Sequence, residues 1–489
     1  MLLAVYDNSV IPSEMIREII GSRGFGDVVV RRKPLGDFYH EAINDIFDKD
    51  TKWLCCDNVF DVEKLAQDLD TPRLSRHARI IHCFSDYIVS DVHELSLTYK
   101  KIDFIDGPVA LTTKNGCAAV LFEGPESYKS FLRDAVSLHD TRKAAASGAY
   151  PDLEVTGLSW IGSVENFIQC VTGNFDSRFF NSLGGDSYVI RKSSTDKRKI
   201  KAEYTYWHLL PDAMRRWVVM PFDYREDDST ASYAMERLHM TDIAIKWVHG
   251  SIGTDEFSQL MDMYFTFFAE RPARAVSEDR RRELADALYV GKVQDRVEKL
   301  KKLPGWAPIA HCMEGDDRLS SIDCMLDRYL ALKKRVESRA QFTDIEVIGH
   351  GDPCFANAMY NRSTRTLKLI DPKGALTEDE LWTDPYYDIA KLSHSVCGNY
   401  DFFNNAMFDI SLGEDFHWRL HVPFDNSDYV EIFREHVEAA GYDWWSVRLY
   451  EASLFLSMLP LHMDYPHKVF GFVLNAERVL EEVEAGVGA

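Results

Sequence analysis

The chain of 489 residues lacks any long hydrophobic run. The apolar segment Met1 to Tyr6 ends at Asp7 and Asn8, before the core of a signal peptide could form. No stretch approaches the roughly 18 apolar residues that a membrane span needs. We therefore expect neither a targeting segment nor a membrane span, and we predict a cytoplasmic protein.

Positive charge is also scarce. Lysine and arginine total 56 against 78 aspartates and glutamates, which gives a formal net charge of −22. Such a balance repels a polyphosphate backbone unless basic residues are locally concentrated. The composition therefore argues against nucleic acid as a partner.

The nine cysteines include no Cys-x-x-Cys pair, and only Cys55 and Cys56 are adjacent. This spacing excludes the common zinc-binding patterns, and an odd number favours free thiols in a reducing compartment. Apolar residues make up 46% of the chain and aromatic residues 12%, which is enough for real cores. At roughly 150 residues per domain, we expect about three compact units.

Residues 1–153 alternate short apolar runs, such as Leu2 to Tyr6, Asp27 to Arg32 and Ala78 to Phe84, with stretches of helical length. This alternation predicts an α/β domain with a mostly parallel sheet covered on both faces. The small, flexible segment Lys143 to Pro151 is typical of a domain boundary.

Residues 154–240 change to hairpin patterns followed by a helix, and residues 241–489 are dominated by long amphipathic patterns. The helix is predicted over Asp196 to Leu210, with Ile200, Tyr204 and Trp207 on its apolar stripe. The sequence thus predicts a small sheet-rich unit and then a larger helical one, interrupted by one pair of short strands.

The most informative segment is HGDPCFAN, residues 350–357, followed after a turn by LKLID, residues 367–371. Two short strands each deliver an aspartate, Asp352 and Asp371, at or just past their ends, and Asn357 lies five positions after the first. Phosphoryl transfer needs a carboxylate to accept a hydroxyl proton, and an amide oxygen plus a second carboxylate to hold magnesium.

The pattern HGDxxxxN followed by Ile-Asp resembles the aminoglycoside phosphotransferase and choline kinase group of small-molecule kinases. DPYYDIA, residues 384–390, resembles the element that follows in that family. The resemblance implies a two-lobed, protein-kinase-like α+β domain with a largely helical C-lobe, and ATP and magnesium as cofactors. It makes Asp352 the catalytic base, Asn357 and Asp371 the magnesium ligands, and Asp388 a structural residue. A lone His-Gly-Asp is more often a turn at a strand end, but the full set in this order favours a kinase.

A kinase of this type also needs a cation on a strand and a carboxylate on the next helix, to anchor the nucleotide phosphates. Arg191 and Lys192 end a predicted strand, and Glu203 lies on the following helix. Strand alternation puts the two cations on opposite faces, and we favour Lys192. The alternative is a basic strand end paired with a surface glutamate.

Two further binding elements are predicted. The turn Thr172 to Arg178 contains a single glycine, Gly173, and resembles a phosphate-covering loop, although a plain hairpin turn fits equally well. The segment Tyr233 to Leu238, which includes Glu236, resembles the linker between lobes that binds the adenine edge; its alternative is an ordinary edge strand.

Residues 157–465 also resemble bacterial capsular polysaccharide biosynthesis proteins, in which a kinase-like domain follows a nucleotidyltransferase-like one. The resemblance implies that the chain phosphorylates a hydroxyl of a small polar acceptor such as a sugar, a polyol or an amino alcohol. The corresponding first loop, Ala4 to Met15, contains no glycine to cradle a triphosphate, so we expect a degenerate nucleotidyltransferase-like domain. A pseudokinase scaffold and a bifunctional enzyme are the alternatives.

Overall fold

The computed structural model describes residues 2–47, 51–68, 79–172, 181–185 and 188–488. Contacts between Cα atoms divide the chain into two compact units, Met1–Phe175 and Asp176–Ala489.

The strands of the first unit are β1 (Leu2–Asp7), β2 (Val29–Val30), β3 (Lys33–Pro34), β4 (Thr51–Cys56), β5 (Arg79–Phe84), β6 (Tyr87–Val89), β7 (Val109–Thr113), β8 (Gly116–Phe122), β9 (Asp152–Glu154) and β10 (Leu158–Trp160). Its helices are α1 (Glu14–Ile20), α2 (Leu35–Phe47), α3 (Val59–Asp68), α4 (Val92–Tyr99), α5 (Pro125–Leu138), α6 (Thr141–Ser147) and α7 (Val164–Thr172).

The main sheet of the first unit has the strand order β4-β1-β5-β8-β7-β9. Strand β1 is parallel to β4 and β5, whereas β8 runs antiparallel to β5 and β7. Since β7 and β9 are also parallel, three of the five pairings between its described strands are parallel, and only β8 runs against the other five strands of this sheet. The run Asp27 to Arg32 contributes only Val29–Val30, which pairs with Lys33–Pro34 in a separate hairpin. Helices and buried β-branched residues still make this an α/β unit.

The division after Phe175 falls later than the predicted boundary near residue 153. Strand β9 continues the main sheet by pairing with β7, and β10 pairs with β6. Helix α7 then packs on α1. The flexible-looking segment Lys143 to Pro151 is therefore an internal connection, which begins in α6.

The strands of the second unit are β11 (Asn181–Gly185), β12 (Val189–Ser194), β13 (Pro221–Glu226), β14 (Ala231–Glu236), β15 (Thr241–Asp242), β16 (Ala273–Ala275), β17 (Ile345–Ile348), β18 (Ala358–Asn361), β19 (Thr366–Leu369), β20 (Trp382–Thr383), β21 (Asp409–Leu412) and β22 (Trp418–His421). Its helices are α8 (Lys197–Leu209), α9 (Asp212–Arg215), α10 (Ile243–Val248), α11 (Thr254–Glu270), α12 (Glu278–Asp286), α13 (Lys292–Lys301), α14 (Trp306–Glu314), α15 (Ile322–Glu337), α16 (Tyr386–Val396), α17 (Tyr400–Asn404), α18 (Ser427–Ala439), α19 (Trp444–Met458) and α20 (Pro466–Gly488).

The second unit begins with a four-stranded antiparallel sheet in the order β11-β12-β14-β13, against which α8 packs. Asp196 caps α8 by accepting a hydrogen bond from the backbone N–H of Lys199. The buried residues of α8 are Ile200, Glu203 and Tyr206. Of the predicted apolar stripe, Ile200 is buried, whereas Tyr204 and Trp207 are half-buried, since the helix also buries the carboxylate of Glu203.

The rest of the second unit is mostly helical and contains two three-stranded sheets that carry the aspartate-bearing segments. Strand β17 lies between β16 and β20, whereas β19 pairs with β18. The two strands predicted as a pair therefore belong to different sheets. Large buried side chains such as Trp247 and Tyr264 fill the adjoining core. Among the described residues, no helix combines the length and the apolar character needed to cross a membrane.

Candidate active site

Lys192 lies between two carboxylates. Its Nζ is 2.8 Å from Oε2 of Glu203 on α8 and 2.9 Å from Oδ1 of Asp371, which follows β19. The side chain of Lys192 is only 4% exposed. Burial alone would lower the pKa of Lys192, but the carboxylates of Asp371 and Glu203 raise it above its usual value. The ammonium group is therefore charged. It links β12 to α8 and to the segment that follows β19.

Glu203 is fixed from a second direction, because the hydroxyl of Tyr233 on β14 donates a hydrogen bond to its Oε2 over 3.0 Å. Arg191, one residue before Lys192, points to the opposite face of the sheet, as strand alternation requires. It pairs with Asp223 and donates a hydrogen bond to Oγ of Ser232 at 3.2 Å. Of the two candidate cations, the structure therefore brings Lys192 to Glu203 and Asp371.

The loop that carries Asp352 follows β17 and is held by the buried carboxylate of Asp388 on α16. Asp388 accepts hydrogen bonds from the backbone N–H groups of His350, at 2.9 Å, and Gly351, at 2.8 Å. It also lies 3.2 Å from the buried guanidinium of Arg271. Burial lowers the pKa of His350, whose ring is neutral near pH 7 and accepts a hydrogen bond from the backbone N–H of Asp352.

Asp352 has one close cation, Lys391, whose Nζ lies 3.1 Å from its Oδ1. The side chain of Asp352 is 36% exposed, and that of Lys391 is 12% exposed. Burial alone would raise the pKa of Asp352, but Lys391 lowers it below its usual value, so the group is a carboxylate near neutral pH. A partly exposed, ionised carboxylate can accept a proton from a bound hydroxyl group.

Asn357 connects the two aspartate-bearing segments. Its Nδ2 donates a hydrogen bond to the backbone oxygen of Asp352 over 3.0 Å, and its own backbone oxygen accepts from the N–H of Ile370 over 2.9 Å. Because the amide nitrogen is engaged, the side-chain oxygen is left as a ligand. Asp371 has a positive φ of 55°. An amide oxygen and a carboxylate on adjacent segments are ligands that Mg²⁺ prefers.

The segment after Asp371 docks directly on α8. The backbone N–H of Ala375 donates to the backbone oxygen of Ala202 over 3.0 Å. Gly374 has a φ of +87°, and a Cβ added there would lie 2.8 Å from the backbone of Ala202 and of Glu203. Only glycine permits this approach, which sets the distance between Glu203 and Asp371.

Two predicted binding residues remain, Glu236 and Gly173. Glu236 is the exposed last residue of β14, opposite Val189 in the register, and the chain then leaves the sheet for β15. Because β14 lies between β12 and β13, it is not an edge strand. Gly173 lies outside the described residues.

Sequence reasoning did not single out Lys391, Tyr387 or Lys292. Tyr387 and Lys391 lie one turn apart on α16, and Nζ of Lys292 donates to the hydroxyl of Tyr387 over 2.8 Å. Lys391 directly follows the DPYYDIA pattern and lies three residues after Asp388. Helical periodicity puts residues at this spacing on one face, which is a signal that could have indicated Lys391. Nothing in the sequence around Lys292 indicates its position.

No protein-family model matches the chain, and no curated protein matches it. Among solved structures, a thermostable mutant of aminoglycoside phosphotransferase APH(4)-Ia in its apo form is 14% identical, with a TM-score of 0.34; the match covers 66% of this chain and all of that one. The GDP complex of aminoglycoside 2'-phosphotransferase-IIIa is 13% identical, covering 64% of this chain and 91% of that one, with a TM-score of 0.35. A putative fructosamine-3-kinase from Haemophilus somnus is 10% identical, covering 60% and 83%, with a TM-score of 0.29.

Proposed function

We propose that the protein is an ATP-dependent phosphotransferase that acts on a hydroxyl group of a small polar acceptor. The observation that carries the proposal is the position of Lys192, which lies 2.8 Å from Glu203 and 2.9 Å from Asp371. A buried lysine on a strand, held by a carboxylate on the next helix and by the metal-binding aspartate, is the arrangement that phosphoryl transfer needs around nucleotide phosphates.

In this proposal each residue has a separate task. Lys192 contacts the nucleotide phosphates, and Glu203 keeps its ammonium group in place. Asp371 and Asn357 would hold Mg²⁺, which supplies charge neutralisation on the phosphates when it is bound. Asp352 orients the acceptor hydroxyl and accepts its proton during transfer. The retention of all these groups in one assembled site favours an enzyme over a pseudokinase scaffold.

The nucleotide base would lie near the end of β14, which carries Glu236. This assignment rests on the resemblance to small-molecule kinases and on the pairing of β14 with β12, the strand that carries Lys192. The assignment of Gly173 rests on the resemblance alone. The two lobes of such a kinase are predicted over residues 154–240 and 241–489; in the structure, the described strands of the first of these within the second unit begin with β11 (Asn181–Gly185).

We further propose that the acceptor is a sugar, polyol or amino alcohol used in surface polysaccharide biosynthesis, in the cytoplasm. The resemblance of residues 157–465 to capsular biosynthesis proteins supports this role, and nine cysteines without a disulfide agree with a reducing compartment. Residues 1–153 would then form a degenerate nucleotidyltransferase-like domain that binds the acceptor or a partner.

Two substitutions separate the base from the metal ligand. Asp352→Asn keeps the size of the side chain and removes its charge, so phosphoryl transfer from ATP should fall at least about a hundredfold while ATP binding is retained. Asp371→Ala should weaken the binding of ATP with Mg²⁺, measured by calorimetry, because the carboxylate acts before the chemical step.

Asp212→Asn is the control, since this aspartate is 96% exposed and pairs only with Arg215 on its own helix among the described residues. ATP hydrolysis and transfer to a panel of sugars, polyols and amino alcohols provide the activity readout. Equal ATP affinity with Mg²⁺ and with a chelator would remove the metal assignment. Full activity of Asp352→Asn would leave a scaffold, or another active site, as the better interpretation.

A further inference from the structure

Three lysines from separate elements contact Asp352, its loop or the neighbouring Tyr387. Lys391 on α16 lies 3.1 Å from the Asp352 carboxylate. Lys292, at the start of α13, donates a hydrogen bond to the hydroxyl of Tyr387, one turn before Lys391. Lys373, two residues after Asp371, donates its backbone N–H to the oxygen of His350 over 2.9 Å. We call Lys292, Lys373 and Lys391 the lysine cluster.

The stem of Lys373 lies directly against the loop that carries Asp352. Gly351 has a φ of +86°, and a Cβ added to it would lie 2.5 Å from Cβ of Lys373. The side chain of Lys373 is exposed, and that of Lys292 is half-buried. The cluster therefore begins at Asp352 and extends toward solvent, where a ligand can reach it.

Two members of the cluster have no acidic partner. In the part of the chain that the structure describes, neither Lys292 nor Lys373 has a carboxylate within 4.0 Å. The nearby acids are already engaged: Asp371 with Lys192, and Asp388 with Arg271. In a chain with a net charge of −22, Lys292, bonded to the Tyr387 hydroxyl, and Lys373, against Gly351, are thus two cations that no described carboxylate neutralises directly.

The lysine cluster changes the pKa of the Tyr387 phenol. Burial alone would raise the pKa of Tyr387, but Lys391 and Lys292 lower it below its usual value, and Lys373 adds to the effect. The three ammonium groups thus act on one buried hydroxyl. The same charges would stabilise an oxygen anion of a ligand that binds next to this hydroxyl.

We propose that the lysine cluster binds an anionic group of the acceptor, a phosphate or a carboxylate, and so selects a negatively charged alcohol as the substrate. The inference rests on the proposed function and names its substrate class. The nucleotide phosphates already have Lys192 and the metal ligands, whereas the cluster starts at the base Asp352, against which the acceptor hydroxyl must lie. Charge-assisted hydrogen bonds from several ammonium groups suit both phosphate and carboxylate oxygens.

The test measures anion binding directly, so it does not depend on finding the acceptor. Inorganic phosphate is titrated by calorimetry into the full chain saturated with ADP and Mg²⁺. The double variant Lys292→Gln, Lys373→Gln should raise the dissociation constant for phosphate at least about tenfold, the loss expected when charge-assisted contacts are removed. The matched control is Lys299→Gln, Lys302→Gln, which also removes two lysine charges, here at the C-terminal end of α13, whereas Lys292 lies at its start.

Three outcomes would overturn the proposal. The first is no saturable phosphate binding, and the second is equal phosphate binding by the double variant and the control. The third is a loss of ADP affinity in the double variant as large as its loss of phosphate affinity, which would place the lysines in the nucleotide site.

Competition by glycerol 3-phosphate, glycerate and glycerol then shows whether the cluster prefers a phosphate or a carboxylate. The phosphate or the carboxylate compound should displace bound phosphate at least about tenfold better than the neutral alcohol. Failure of the proposed function would instead appear as absent transfer from ATP, with phosphate binding to the ADP complex intact.

Discussion

Replacement of Gly374 by alanine tests how the Asp371 segment is held against α8. The new Cβ would lie 2.8 Å from the backbone carbon of Ala202 and 2.8 Å from the backbone nitrogen of Glu203. Both are backbone atoms that cannot rotate away, so the segment must withdraw from the helix. We therefore expect Asp371 to separate from Lys192, and the affinity for ATP with Mg²⁺ to fall.

The effect on stability has two parts. An alanine with φ near +87° costs about 1–2 kcal/mol, of which about 0.4–1 kcal/mol is recovered because the unfolded chain becomes stiffer. The backbone collision adds about 1–3 kcal/mol, as overpacking does in cores. Gly374→Ala should thus lower the free energy of unfolding by about 1–4 kcal/mol.

Gly441 offers a matched control, because its φ is +82° and a Cβ there would meet nothing within 4 Å. Gly441→Ala carries the dihedral cost alone, so it should lower the free energy of unfolding by about 1 kcal/mol and leave ATP affinity unchanged. Urea unfolding and calorimetric titration with ATP and Mg²⁺ measure the two quantities. If both variants bind ATP equally well, close docking of this segment on α8 does not set the nucleotide site.

Three further outcomes are expected. Asp388→Asn leaves the buried guanidinium of Arg271 without its charge partner, so urea unfolding should show a loss of about 3–5 kcal/mol; a loss under 1 kcal/mol would contradict this. Burial raises the pKa of Asp401 to about 7, so its contribution to stability is complete below about pH 4 and is lost as the pH rises to about 7. Asp401→Asn should remove this loss of about 4 kcal/mol, and an unchanged pH profile of stability would refute it. With the kinase reaction silenced by Asp352→Asn, the full chain should form no nucleotide-sugar or CDP-alcohol, and detection of either product would show that residues 1–153 are active.

The candidate site illustrates what a sequence can predict. Asp352 and Asp371 each follow a short strand, and Asn357 lies five positions after Asp352, so a common site for the three residues could be predicted from this local spacing without a fold. The choice between Arg191 and Lys192 depended on which face of β12 is covered. Strand alternation separated the two residues but could not tell which face α8 and the Asp371 segment would occupy.

The parts that were not predicted depend on tertiary packing. The sequence predicts the apolar stripe of α8 on Ile200, Tyr204 and Trp207. The helix buries Ile200 but also Glu203 and Tyr206, because Lys192 pairs with the Glu203 carboxylate. The mixed sheet of the first unit arises because β8 enters antiparallel between β5 and β7, and short apolar runs do not encode strand direction. Lys292 reaches Tyr387 across 95 residues of sequence.

The anchoring of the His350 and Gly351 amides on Asp388 has a consequence for synthesis on the ribosome. Their acceptor is translated 38 and 37 residues later, whereas the pair of Lys192 and Glu203 can form as soon as α8 has emerged. A nascent or truncated chain that stops before Asp388 carries the lysine and its glutamate, but its Asp352 loop has no anchor. Under the proposed function, phosphoryl transfer would therefore require a chain whose translation has passed α16.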